Sequence, residues 1–176
     1  RPSGIELDVV SGKMYWTDIG TGKIQRANLD GTNVEDLVTV PGMTPVDIAL
    51  DLPRGKMYWT EASPADFMIL RASLDGSAQE GIVVSTGTSP SGIAVDSAGG
   101  KVYWTDRGAH KIQRANLDGS QVEDVVVTSV KEPVRIALDL TARKIYWTEA
   151  SAADFMISRA NLDGSGGEFL ITGLTS

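Results

Sequence analysis

The apolar residues of this chain fall in short runs separated by turn residues, without the 3.6-residue spacing of an amphipathic helix. The same order returns four times: a proline, an apolar strand ending in aspartate, a strand carrying Tyr-Trp-Thr, an Ile-x-Arg-Ala type strand, a Leu-Asp-Gly turn and a β-branched strand. Asp-Gly readily takes the positive φ of a tight hairpin. The pattern predicts four short antiparallel strands in each unit of about 44 residues.

A Tyr-Trp-Thr-acid motif marks the second strand of each unit and contains all four tryptophans and all four tyrosines of the chain. One four-stranded sheet cannot bury both of its faces, whereas stacked sheets cover each other. We therefore predict an all-β β-propeller of four-stranded antiparallel blades, with the aromatic rings packed between blades. The predicted blades are residues 2–44, 45–89, 90–132 and 133–176.

A second, longer period lies on top of the first. Residues 2–88 align with residues 90–176 without gaps, with 51 identities in 87 positions. The first and third units carry Tyr-Trp-Thr-Asp, and the second and fourth carry Tyr-Trp-Thr-Glu followed by a longer loop. The chain is therefore a duplicated pair of blades, produced by recent amplification or by deliberate construction.

Each unit resembles the low-density lipoprotein receptor class B, or YWTD, repeat, and the resemblance covers the whole chain. It rests on four motifs in a fixed order: Pro…Ile-Ala-x-Asp, Tyr-Trp-Thr-Asp, Ile-x-Arg-Ala and Leu-Asp-Gly. The resemblance implies six-bladed propellers that bind proteins through one face of the disc and carry no catalysis. It also favours an extracellular or otherwise exported setting. A cysteine-rich module usually follows such a propeller, and none is expected within these 176 residues, which contain no cysteine.

Four blades shaped for a sixfold ring would leave about a third of it open, with two exposed apolar blade faces. We therefore expect the chain to be a scaffold that completes its ring by homo-oligomerisation, and to bind another protein. An eight-bladed dimer, chains that share blades, a closed four-bladed monomer and a fragment of a longer array remain alternatives.

The amino-acid composition argues against several classes of binding partner and of catalytic site. The net charge of −7, from 23 acidic and 16 basic residues, argues against nucleic acids and anionic membranes. Since no apolar run approaches the ~20 residues of a membrane span, no membrane insertion is expected. The absence of cysteine excludes thiol catalysis and cysteine-based zinc sites.

Candidate functional residues lie where the repeats differ and in the loops after the second strands. The candidate binding face consists of Asp18, Ile19, Glu61, Asp66, Phe67, Asp106, Arg107, His110, Glu149, Asp154 and Phe155. Candidate polar residues near the propeller axis are Glu6, Asp47 and Arg135. The two phenylalanines are either exposed anchors or ordinary strand residues, and the single histidine is expected to be solvated.

No catalytic residues, cofactor or metal site are predicted, since the sequence has no nucleophile elbow, phosphate-binding glycine loop or zinc signature. The repeated arginine is expected to pair with the motif acid of its own blade. Two alternatives stay open: a calcium-dependent hydrolase, which would need carboxylates converging on the axis, and a glycan-binding propeller.

Overall fold

The computed structural model describes residues 1–39, 42, 44–62, 67–85, 89–128, 131–150 and 154–174. In these ranges the chain forms sixteen strands and one 3-10 turn at Leu52–Arg54. The strands are β1 (Pro2–Asp8), β2 (Lys13–Asp18), β3 (Lys23–Asn28), β4 (Glu35–Thr39), β5 (Thr44–Asp51), β6 (Lys56–Ala62), β7 (Phe67–Ser73), β8 (Glu80–Ser85), β9 (Pro90–Asp96), β10 (Lys101–Asp106), β11 (Lys111–Asn116), β12 (Glu123–Val127), β13 (Glu132–Asp139), β14 (Lys144–Ala150), β15 (Phe155–Asn161) and β16 (Glu168–Leu174).

The strands form four separate four-stranded antiparallel sheets, each in the order of the sequence. The prediction of four short antiparallel strands per repeat is confirmed. The chain divides into two compact units, Arg1–Thr86 and Gly87–Ser176. Each unit therefore contains two consecutive sheets.

The Leu-Asp-Gly turns join the third and fourth strands of each sheet. The aspartate Oδ1 accepts the backbone N–H and the hydroxyl of the residue two positions later, as in Asp30 and Thr32 at 2.9 and 2.6 Å. The glycines of the four turns have φ of 83–86°, a region that only glycine enters without steric cost. Asp-Gly therefore forms the predicted tight turn in every repeat.

Because side chains alternate along a strand, the motif tyrosine and tryptophan lie on opposite faces of each sheet. In the first sheet Tyr15 pairs across with Arg26, and Trp16 pairs with Gln25 and Ile5. We call the two sides the tyrosine face and the tryptophan face. In the first sheet the former carries Tyr15, Thr17, Ile24, Arg26 and Val38, and the latter carries Ile5, Leu7 and Trp16.

The core of the first unit joins unlike faces of its two sheets. Tyr15, Ile24 and Val38 of the first sheet pack against the tryptophan face of the second sheet, which includes Ile48 and Trp59. Each buried aliphatic side chain contributes about 1.5–3 kcal/mol to stability.

The second unit repeats this arrangement between the third and fourth sheets. Tyr103 and Ile112 on the tyrosine face of the third sheet contact Ile145 and Trp147 of the fourth, together with Leu162. The prediction that the rings lie between sheets is confirmed for these pairs.

Hydrogen bonds fix how the tyrosine face docks on its neighbour within each unit. The Thr17 hydroxyl donates to the Val46 carbonyl at 3.1 Å, and an Nη of Arg26 donates to the Leu74 carbonyl at 3.2 Å. The second unit repeats both bonds. There, the Thr105 hydroxyl donates to the Val134 carbonyl at 2.9 Å, and an Nη of Arg114 donates to the Leu162 carbonyl at 2.8 Å.

Candidate functional site

The motif aspartates of the first and third sheets hold the loops that follow them. Asp18 Oδ1 accepts the N–H groups of Gly20 and Thr21 at 2.8 and 3.2 Å. The ammonium group of Arg1, with these N–H groups, lowers the pKa of Asp18 to about 2. Asp106 Oδ1 accepts hydrogen bonds from the N–H of Ser89, just before β9, and from the N–H of Ala109, in the loop after β10. These carboxylates shape turns.

The motif glutamates of the second and fourth sheets are buried beneath their tryptophans. The Trp59 indole donates to Glu61 at 3.1 Å, and the Trp147 indole donates to Glu149 at 2.7 Å. Desolvation raises the pKa of Glu61 to about 7, and its Oε1 has no hydrogen-bond partner among the described residues.

Three members of the candidate binding face are therefore corrected. Glu61, Asp106 and Glu149 are all buried, since the backbone and the indoles that bind them also cover them. They cannot contact a protein ligand at that face.

The repeated arginine pairs with a different acid from the one predicted. In each sheet it binds the glutamate that begins the fourth strand, at 2.5–2.7 Å: Arg26 with Glu35, Arg71 with Glu80, Arg114 with Glu123, and Arg159 with Glu168. A bulge in the pairing of the third and fourth strands brings these residues opposite each other in the first sheet. The predicted pairing with the motif acid is wrong, because that acid already binds its own loop or indole.

The remaining loop residues differ in exposure. Ile19 is half-buried, whereas Arg107, Asp154 and Phe155 are exposed, and Arg107 pairs with Glu132 at 2.6 Å. Phe155 begins β15 and is thus both a strand residue and partly open to solvent. Asp66 lies outside the described residues, as does the side chain of Phe67.

The single histidine is more constrained than expected. His110 is half-buried, and its Nδ1 lies 3.2 Å from the Lys131 carbonyl oxygen. Its φ of 55° matches the 66° of Gly22, which occupies the equivalent position of the first unit. The same left-handed backbone conformation therefore occurs in both units, at glycine in the first and at histidine in the second.

The candidate axial residues lie where the first strands of two neighbouring sheets pack closely: β1 against β5, and β9 against β13. A Cβ on Gly4 would lie 2.7 Å from the Asp47 Cα, and one on Gly92 would lie 2.9 Å from the Arg135 Cα. Glycine in one sheet thus makes room for a large polar residue in the next sheet of the same unit. Desolvation raises the pKa of Glu6, and the carboxylate of Asp47 adds to this increase.

The described residues contain no group of three or more histidine, cysteine, aspartate or glutamate side chains placed to hold a metal ion. The same part of the chain has no helix long and apolar enough to cross a membrane.

Sequence reasoning did not identify the residues of two unpaired sheet faces. On the tryptophan face of the first sheet, Ile5 is 61% exposed, whereas the equivalent Ile48 in the second sheet is 2% exposed. Leu7 and Leu29 beside it are also exposed.

The tyrosine face of the fourth sheet is the second unpaired face. Ile171 is 45% exposed there, against 2% for the equivalent Val38 in the first sheet. Tyr146 is half-buried and Thr148 exposed, although the matching residues of the first and third sheets are buried.

A family model of the low-density lipoprotein receptor repeat class B matches residues 12–52, 55–97 and 100–140. Among solved structures, a chain of a nidogen–laminin complex is 25% identical with a TM-score of 0.86, and the match covers 96% of this chain and 64% of that one. A putative TolB from Agrobacterium tumefaciens is 14% identical with a TM-score of 0.82, over the same two shares. An oligogalacturonate lyase with manganese is 12% identical with a TM-score of 0.69, over 98% of this chain and 53% of that one.

The family match and the first of these structures identify the fold as a YWTD β-propeller, with four blades in this chain. The TolB and lyase matches reflect fold alone. The chain spans less than two thirds of the length of each of these three structures.

Proposed function

The chain belongs to the low-density lipoprotein receptor class B repeat family, and from this premise we propose that it is a non-catalytic protein-binding scaffold that completes its ring of blades with further copies of itself. The observation that carries the proposal is the pair of unpaired faces. One is a tryptophan face and the other a tyrosine face, and unlike faces form the core of each unit.

The exposed apolar residues support a contact between copies. Ile5, Leu7 and Leu29 on one face and Ile171 on the other correspond to residues that pack in the unit cores. Burial of such side chains stabilises by about 25 cal/mol per Å² of apolar surface removed from water. Exposed apolar side chains that share one sheet face are typical of an interaction site.

Polar groups on the tyrosine face of the fourth sheet support the same contact. Thr148 and Arg159 stand at the positions from which Thr17 and Arg26 donate to the next sheet. The acceptors in the first unit are the carbonyls of Val46 and Leu74. The equivalent carbonyls on the tryptophan face of a second copy belong to Ser3 and Leu29. The two faces thus match in hydrogen-bond positions as well as in apolar surface.

Such a contact is head-to-tail, because each copy contributes a different face. Head-to-tail contacts form a closed ring when the rotation between copies closes and an open fibre when it does not. Since a propeller is a ring and six blades are not a whole number of four-blade chains, we propose closed assemblies that either form one eight-bladed ring from two chains or share blades between rings.

The protein ligand is proposed to contact the loop residues that stay accessible. Arg107, Asp154 and Phe155 are exposed, with Ile19 half-buried. The nidogen–laminin complex is itself an assembly of proteins. With a net charge of −7, this chain favours a partner that presents a basic surface.

The test of assembly is the solution mass, measured by light scattering during size-exclusion chromatography over a range of concentrations. We expect a discrete multiple of the chain mass. Ile5→Asp and Ile171→Asp should each reduce this mass, because each places a charge in one of the two faces. Val10→Asp, in an exposed turn, is the matched control and should keep the wild-type mass.

Mixing the two variants tests the head-to-tail geometry. Ile5→Asp keeps an intact tyrosine face and Ile171→Asp keeps an intact tryptophan face, so together they should form a dimer that neither forms alone. A monomeric wild-type chain at every concentration would refute the self-assembly part of the proposal.

A further inference from the structure

The second unit contains a cavity that the proposed assembly does not use. Its volume is about 390 Å³, and it lies between Val126 and Val127 of the third sheet and the outer half of the fourth. Trp147, Glu149 and Ser158, all buried, form the floor. Ligand sites in proteins occupy about 300–1,000 Å³, so this volume can take a small molecule.

The cavity arises where the two halves of the chain differ. Ser158 stands where the first unit has Leu70, a side chain that packs against the core of that unit. A serine cannot fill that volume. Lys131 and Phe169, which also line the cavity, replace Met43 and Gly81. Three departures from the repeat thus surround one space.

The floor carries an unsatisfied polar group. The Ser158 hydroxyl is buried and has no hydrogen-bond partner among the described residues. Leaving such a group unpaired costs about 1–3 kcal/mol. Beside it, Glu149 accepts a hydrogen bond from the Trp147 indole, the one bond to its carboxylate among the described residues. A ligand hydroxyl can accept from Ser158 and donate to Glu149.

The rim supplies a cation and an aromatic surface. The Lys131 ammonium contacts the thioether of Met156 and lies 5.9 Å from the centre of the Phe169 ring. A thioether carries no charge, and no carboxylate in the described part of the chain lies within ion-pair distance of this lysine. Lys131 is therefore placed to bind a ligand anion.

We propose that this cavity binds a small aromatic carboxylate that carries a hydroxyl at the far end of its ring. The carboxylate pairs with Lys131, the ring packs between Phe169, Val127 and Trp147, and the hydroxyl binds Ser158 and Glu149. The site lies within the second unit, so it is independent of the assembly of copies.

The probe is para-hydroxyphenylacetate, titrated into the full chain and followed by ¹H–¹⁵N NMR. The indole cross-peak of Trp147 should shift in a saturable way, and that of Trp59, its counterpart in the first unit, should not. The alcohol para-hydroxyphenylethanol should bind about tenfold more weakly, because it lacks the charge-assisted bond to Lys131.

Two variants restore residues of the first unit. Ser158→Leu fills the cavity with the side chain found at Leu70 and should abolish the shift. Lys131→Met should weaken binding about tenfold and remove the preference for the carboxylate over the alcohol. Leu70→Ser is the matched control, since it leaves the cavity unchanged and should preserve the Trp147 shift.

No saturable shift of Trp147 at millimolar probe overturns the proposal. So does a shift that survives Ser158→Leu, or equal binding of the acid and the alcohol to the wild-type chain. If Ser158→Leu does not fold, the Lys131→Met titration decides the question alone.

Discussion

At the scale of single residues, Glu61 is a buried acid whose ionised form is costly in the first unit. Its carboxyl is buried and accepts a hydrogen bond from the Trp59 indole, and its Oε1 has no partner in the described part of the chain. Desolvation raises its pKa from 4.5 to about 7. The folded state therefore binds this proton more tightly than the unfolded state does.

The first prediction follows from this shift. The stabilisation by protonated Glu61 is fully present below pH 4.5 and is lost as the pH rises to about 7. The free energy of unfolding of the first unit should fall by roughly 2–3 kcal/mol over that window. Glu61→Gln, which carries no charge, should remove the fall, as measured by urea unfolding at a series of pH values.

Glu80→Gln is the control for this measurement. Arg71 lowers the pKa of Glu80, so its contribution is lost as the pH falls and has the opposite sign. The decrease between pH 4.5 and 7 should therefore persist in this variant. The same decrease in Glu61→Gln would mean that another group causes it.

At the scale of strands and sheets, the close approach of the inner strands predicts a strict need for glycine. A Cβ on Gly4 would lie 2.4 Å from Oδ1 and 2.7 Å from Cα of Asp47. Since the second atom is backbone, β1 and β5 would have to separate. Gly4→Ala should destabilise the first unit by about 1–3 kcal/mol, measured by chemical unfolding.

Gly81→Ala is the matched substitution in another strand of the same unit. The nearest atom to its Cβ is the flexible Met68 sulfur, at 3.8 Å. This variant should therefore be close to neutral. Equal losses for both variants would show that strand glycines matter here for their flexibility and not for space.

The strands and turns could be predicted because their signals are local. Period-two alternation and Asp-Gly set the strands and hairpins, and the motif placed Tyr15 and Trp16 on opposite faces. The partner of Arg26 could not be predicted in this way. It depends on a bulge in β3–β4 pairing, which leaves no mark in the sequence.

The candidate site was less accessible to sequence reasoning for a similar reason. Ser158, Lys131 and Phe169 are visible as departures from the repeat, yet only the packing of the third sheet on the fourth shows that they surround one volume. Likewise, Glu61 and Glu149 follow the buried Trp59 and Trp147 by two positions, so they lie on the same face as the rings that cover them.

At the scale of the whole molecule, the two unpaired sheet faces need another blade to cover their apolar residues. In the proposed assembly a second copy does so, but a further pair of blades in the same chain would serve equally well. The family resemblance implies rings of six blades, and two consecutive repeats of this chain supply a pair. A chain with residues 1–88 duplicated ahead of the 176-residue sequence would therefore carry six blades, a full ring.

This extended chain should be a monomer by light scattering at every concentration, since its own end blades cover each other. Ile5→Asp in its first copy should then lower the free energy of unfolding and leave the mass unchanged, because the buried charge opposes ring closure within one chain. In the 176-residue chain the same substitution should reduce the mass of the assembly. If the extended chain still forms multiples, its blades do not close at six, and the number of copies in the assembly of the 176-residue chain must follow from a different blade angle.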